Sequence, residues 1–115
     1  MDKNVSTLTK KDRIRVLNDN FRATFVGGHV VMTQGVSDLP LDTKARLILA
    51  VQSFNTFDDD DDPHREHDFG AIELGADTYF WKIDYYDLET RFGSEDPSDP
   101  EKTTRVLTIM RADDY

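Results

Sequence analysis

The residues best equipped for chemistry crowd between positions 58 and 68. Asp58, Asp59, Asp60, Asp61 and Asp62 stand in unbroken succession, followed by His64, Glu66, His67 and Asp68. Carboxylates suggest calcium, but an EF-hand loop starting at Asp58 requires Gly at its sixth position and Glu at its twelfth. Pro63 and Phe69 stand there, which excludes that motif. Helical zinc motifs set two histidines four residues apart with a glutamate between them. His64 and His67 are three apart, directly after a proline and a charge run where no helix is expected, and no third ligand is identifiable. No metal and no cofactor are therefore assigned. Asp84 and Asp87 could support hydrolysis if held at a suitable separation, yet on a strand they point to opposite faces. No nucleophile elbow, phosphate-binding glycine loop or histidine-paired serine accompanies them. Without cysteine there is no disulfide, thiolate site or cysteine nucleophile. No catalytic residue is assigned.

What stands out instead is where the charge falls. Of the net −9, residues 1–57 hold eight Lys/Arg against five Asp/Glu, residues 58–101 three against sixteen, and residues 102–115 three against two. The middle of the chain is intensely acidic and both ends are nearly neutral. Direct binding to nucleic acid through phosphates needs Lys and Arg and is disfavoured; anionic membrane surfaces are disfavoured for the same reason. A basic partner is favoured, because complementary charge speeds encounter and sets specificity. No apolar run is long enough to cross a bilayer and the first residues, Met1-Asp2-Lys3-Asn4, lack an apolar signal core. A soluble cytoplasmic protein is expected.

The elements that must hold these residues are legible in order. Thr9 with Asp12 reads as an N-cap, and Ile14, Leu17, Phe21 and Phe25 form one stripe of an amphipathic helix from Lys10 to Thr24, ended by Gly27-Gly28. Lys11, Arg15, Asp19 and Arg22 then form its solvated side. Residues 29–34 make a short strand closed by Gly35, with His29 structural or solvent-facing. A second helix starts near Pro40 and Asp42. Ala45, Leu47, Ile48, Leu49, Ala50, Val51, Phe54 and Phe57 make it apolar around much of its circumference, so it should be the more buried of the two. The aspartate run repels itself out of any helix or ladder and forms a loop. Residues 71–74 form a strand, Gly75-Ala76-Asp77 a three-residue hairpin loop, and residues 78–86 the central strand. On that strand Tyr79, Trp81, Ile83 and Tyr85 point to one face, and Phe80, Lys82, Asp84 and Tyr86 to the other. Residues 88–103 are a long acidic loop, and residues 105–111 an inner strand pairing with 78–86. The expected architecture is one α+β domain over residues 1–115. It is a two-layer sandwich: an antiparallel sheet of about four strands, with two helices packed on one face.

Trp81-Lys-Ile-Asp-Tyr-Tyr-Asp87 and Arg105-Val-Leu-Thr-Ile-Met110 resemble the family catalogued as domain of unknown function 3768. Asn18–Arg22, Gly27-Gly28-His29-Val30-Val31, Thr33-Gln34-Gly35-Val36, Leu39-Pro40, His67-Asp68-Phe69-Gly70 and Ala112-Asp-Asp-Tyr115 are also similar. The resemblance spans roughly Leu17 to Tyr115. It implies a small bacterial protein, often encoded on plasmids and other mobile elements, and carries over no activity.

Together these features point to a non-enzymatic acidic interaction or inhibitor protein. Its partner is expected to be a basic, nucleic-acid-binding enzyme or complex, with anti-CRISPR or anti-restriction activity as the concrete version. The partner-binding residues would be Asp58, Asp59, Asp60, Asp61, Asp62, Glu66, Glu95, Asp96 and Asp99. An extended chain advances about 3.3–3.6 Å per residue, close to the roughly 3.4 Å phosphate spacing of one DNA strand, so an extended aspartate run could imitate nucleic acid. The alternative is a small ligand-binding or regulatory module using the Tyr79, Trp81 and Tyr85 aromatic face.

Overall fold

The computed structural model describes residues 8–115, so the N-terminal segment Met1-Asp2-Lys3-Asn4 lies outside the described residues. Helix α1, Lys10–Thr24, starts as its spacing predicts: the Thr9 hydroxyl accepts the Asp12 N–H at 3.1 Å. It ends at Thr24, also as expected, but the left-handed cap is Phe25, at φ +60° and donating its N–H to Phe21, in place of the Gly27-Gly28 pair. Strand β1, Gly28–Met32, is followed by a single helical turn, α2, Gln34–Ser37, where closure at Gly35 was expected. Helix α3 is Leu41–Gln52. Strands β2, Phe69–Leu74, and β3, Asp77–Tyr86, form a hairpin with Leu74 paired to Asp77, so its loop is two residues, not three. Gly75 supplies the positive φ that so tight a turn needs. Strand β4, Thr104–Arg111, runs into a short 3₁₀ turn at Ala112–Asp114.

The sheet order is β1-β4-β3-β2, with β4 inside and paired to β3 as expected. The fold is α+β with four strands and its helices on one face. The sheet is mixed, however, and not wholly antiparallel: β1 lies parallel to β4, Gly28 opposite Arg105 and Met32 opposite Ile109. Parallel neighbours need a long crossover, and the chain supplies it by running through α3 and the β2–β3 hairpin before returning as β4.

One core forms between sheet and helices. Tyr79, Trp81 and Ile83 of β3, with Leu107 and Ile109 of β4, meet Phe21 of α1, Val36 of α2 and Leu47 and Val51 of α3. Trp81 is fully buried and receives the edge of Phe54 at 5.4 Å; truncating such an indole to Ala costs about 3–5 kcal/mol. Gly70 lies opposite Trp81, where a Cβ would collide with the indole. The other sheet face carries Phe80 against Phe69 and Tyr115, and a Lys82–Asp84 ion pair of 3.1 Å. Helix α3 departs from expectation. Leu47 and Val51 are buried, but Leu41 is 81% and Leu49 65% exposed. A four-stranded sheet shared with α1 covers only one side of it.

Among the described residues, no helix is long and apolar enough to cross a membrane.

Candidate functional site

Helix α1 is the organising element of the polar half of the molecule. Its expected solvated side is partly buried, Arg22 keeping only 5% exposure, and Asn18 on the core-facing stripe has no exposed surface. The Asn18 amide donates to the Glu66 carbonyl at 2.9 Å and to the Tyr85 hydroxyl at 2.8 Å, and its oxygen accepts Arg105 Nε at 2.7 Å. Tyr85 in turn donates to Glu66 Oε1 at 2.9 Å, while Arg105 donates to the Pro97 carbonyl at 2.6 Å. Asn18 and Arg105 together thus tie both long loops to both inner strands. Burial pulls the Arg105 guanidinium below its ordinary pKa, opposed by Tyr85 and Glu66, and burial pushes the Tyr85 phenol up.

At the next residue of α1, Asp19 Oδ1 lies 2.8 Å from His67 Nδ1 and accepts Arg22 at 3.2 Å. Asp62 closes the other side of the imidazole: its Oδ1 accepts the His67 backbone N–H at 3.0 Å and its Oδ2 lies 3.6 Å from Nε2. The ring stacks flat on Phe57 at 3.7 Å, and Arg22 spans Phe57 and Trp81 while donating to the Phe54 carbonyl at 3.1 Å. Burial lowers the Arg22 pKa, with Asp19 opposing it. Arg65 and His67 both take positive φ, which folds the loop back over α1. A cleft of about 360 Å³ opens beside this cluster, lined by Arg15, Phe57, Asp58, Asp59, Arg65 and His67 among others. Its arginines are engaged: Arg15 with Asp12 at 2.7 Å, Arg65 with Asp59 at 3.2 Å.

The expected partner-binding residues divide into three groups. Asp58, Asp59, Asp60 and Asp61 are exposed, but wound into a turn. Asp58 Oδ1 accepts the N–H groups of Asp60 and Asp61, and the Asp62 N–H bonds to the Asp58 carbonyl at 2.8 Å. The extended run that would match phosphate spacing is absent from this loop, because the Asp58 side chain competes for local backbone donors. Asp62 is 3% exposed and Glu66 is half-buried under Tyr85, so both serve inside the fold. Glu95, Asp96 and Asp99 belong to the second loop. Asp96 accepts Ser98 N–H and hydroxyl, Asp99 accepts the Glu101 N–H, and Glu95 lies 3.7 Å from Lys102. The two acidic loops flank α1 on opposite sides, since Arg15, Asn18 and Asp19 bond the first, whereas Arg13, Val16, Leu17 and Asn20 line a groove with Ser98 and Pro100 of the second.

Of the aromatic face, Tyr79 and Trp81 are core residues and Tyr85 is half-buried with its hydroxyl engaged. Asp84 pairs with Lys82 on the far face and Asp87 caps a turn by accepting the Arg91 N–H, so the two carboxylates do not converge. Among the described residues, no group of three or more His, Cys, Asp or Glu side chains is arranged to hold a metal ion. Asn18, Asp19, Arg22 and Arg105 were not anticipated. Asn18 carried a signal, because it lies four residues after Ile14 and three before Phe21, on the helix stripe that faces the core.

Fold and site define an acidic α+β protein whose loops are pinned to one helix by a buried polar network. The chain belongs to the family described as protein of unknown function DUF3768, whose model matches residues 32–114, from the end of β1 through β4. The match is shorter than the resemblance from Leu17, and it leaves α1 outside. No curated protein and no solved structure matches the chain.

Proposed function

We propose that this protein is a non-enzymatic interaction protein that presents residues 58–61 as a fixed anionic knob to a basic partner. The observation that supports it is a division of labour within one run of identical residues. Four aspartates face solvent on a turn locked by Asp58, while the fifth is buried and anchors that turn through His67. Charges held in place before binding lose little conformational freedom on docking, so more of the Coulomb attraction is retained as affinity. A compact knob suits a basic pocket, and the partner we favour is a nucleic-acid-binding enzyme or complex, with inhibition of restriction or CRISPR machinery as the specific form.

The test uses Asp59→Asn, Asp60→Asn and Asp61→Asn together, which keeps Asp58 and Asp62 in their structural roles. Purified restriction and CRISPR nucleases serve as partners, with their DNA as competitor. Binding is expected to weaken steeply with salt, since exposed charges are screened beyond about 8 Å at physiological ionic strength, and to be lost in the triple variant. Undiminished binding by that variant, or insensitivity to salt, would assign the aspartates to solubility alone.

A further inference from the structure

The apolar surplus of α3 has no partner within the chain. Leu41, Ala45 and Leu49 recur every four residues along the exposed side of the helix, and Leu41 and Leu49 are 81% and 65% exposed. Isolated exposed leucines are ordinary, but a row of apolar residues along one helix ridge is what another helix packs against. Beside the row lie Asp42 and Arg46, each more than two thirds exposed and only loosely paired with one another at 3.9 Å.

We propose that this face is a self-association surface on which a second copy of the chain docks its own α3 antiparallel. The row is self-complementary under a two-fold axis. With the axis through Ala45, Leu41 meets Leu49 of the second copy at each end, and the two small alanines let the backbones approach at the centre. At about 1.5 Å rise per residue, Asp42 then lies about 3 Å along the axis from Arg46 of the second copy, within an arginine's reach. Both ends of the contact gain such a pair. A parallel arrangement would instead oppose Asp42 to Asp42 and Arg46 to Arg46, and would align the helix dipoles unfavourably. The face itself carries Asp42, Lys44 and Arg46, so the net negative charge of the chain does not fall on it. A contact of this length is smaller than the roughly 800 Å² per partner of a stable complex, so the dimer is expected to be concentration dependent.

Sedimentation velocity of the full chain from micromolar to millimolar concentration tests the proposal. The wild type should shift from monomer toward dimer. Leu49→Lys, at a solvent-exposed position that does not hold the fold, should weaken the dimer at least about tenfold. Arg46→Asp should weaken it too, and combining Arg46→Asp with Asp42→Arg should restore it. A wild type that stays monomeric throughout, or a dimer indifferent to Leu49→Lys, overturns the surface. Failure of the charge-swapped pair to restore association overturns the antiparallel register.

Discussion

The two acidic loops flanking α1 have similar composition and opposite uses of it. In residues 57–68 the side chains reach across the chain: Glu66 accepts the Tyr85 hydroxyl and His67, braced by Asp62, meets Asp19 of α1, while Asp58, Asp59, Asp60 and Asp61 stay on the surface. In residues 87–103 the carboxylates are spent locally, Asp87, Asp96 and Asp99 each accepting backbone N–H groups of their own turns. Acidic density alone therefore does not mark a binding surface. The first loop offers uncommitted charge on a long-range scaffold, whereas the second uses charge to shape itself.

For the loops, the largest expected effect is at the tie they share through Asn18 and Arg105. Asn18→Ala strands Arg105 Nε and one bond each of Tyr85 and the Glu66 carbonyl, and should cost about 3 kcal/mol in urea unfolding. A loss below about 1 kcal/mol would show that the two loops are held independently. Asp62→Ala should cost about 2 kcal/mol and loosen only the first loop, seen as faster hydrogen exchange at His67 with the second loop unchanged. Asp96→Ala should produce the mirror image, faster exchange near Ser98 and none near His67.

Asp68 offers a test by pH. Burial, reinforced by Glu66 and Asp62, raises its carboxyl above the usual 3.8. The native state therefore keeps that proton to higher pH than the unfolded chain, and the charged carboxylate penalises folding above its native pKa. Asp68→Asn is expected to stabilise at neutral pH, with the gain over wild type fading as pH falls through the carboxylate range. A gain that grows on acidification would reverse the assignment. The smallest effect belongs to the knob: Asp60→Asn should change stability by no more than about 0.5 kcal/mol, as thermal unfolding would report.

Strands were legible because burial on one face writes an alternation into residues 78–86 and 105–111, and α1 because Thr9 and the Ile14–Phe21 stripe are local signals. What periodicity could not carry was direction and partner. β1 alternates alike whether it lies parallel or antiparallel to β4. The polar network escaped for a related reason. Asn18 bonds residues 48, 67 and 87 positions away, and no short window contains both ends. α3 misled in the other direction, since its apolar content promised burial that a four-stranded sheet cannot supply. In the aspartate run, identical letters concealed two environments, and only the folded loop separates Asp62 from its four neighbours.

The parallel pairing of β1 with β4 has a consequence for how the chain comes to be folded. During synthesis β1, α1 and α3 emerge early, yet their sheet neighbour is made of residues 104–111, which arrive after every other strand. Gly28 must wait for Arg105, and closing so distant a contact is slow and leaves apolar strand surface unguarded in the meantime. Nascent chains stalled before Thr104 should be protease-sensitive throughout, and protection should appear in one step once β4 has cleared the ribosome.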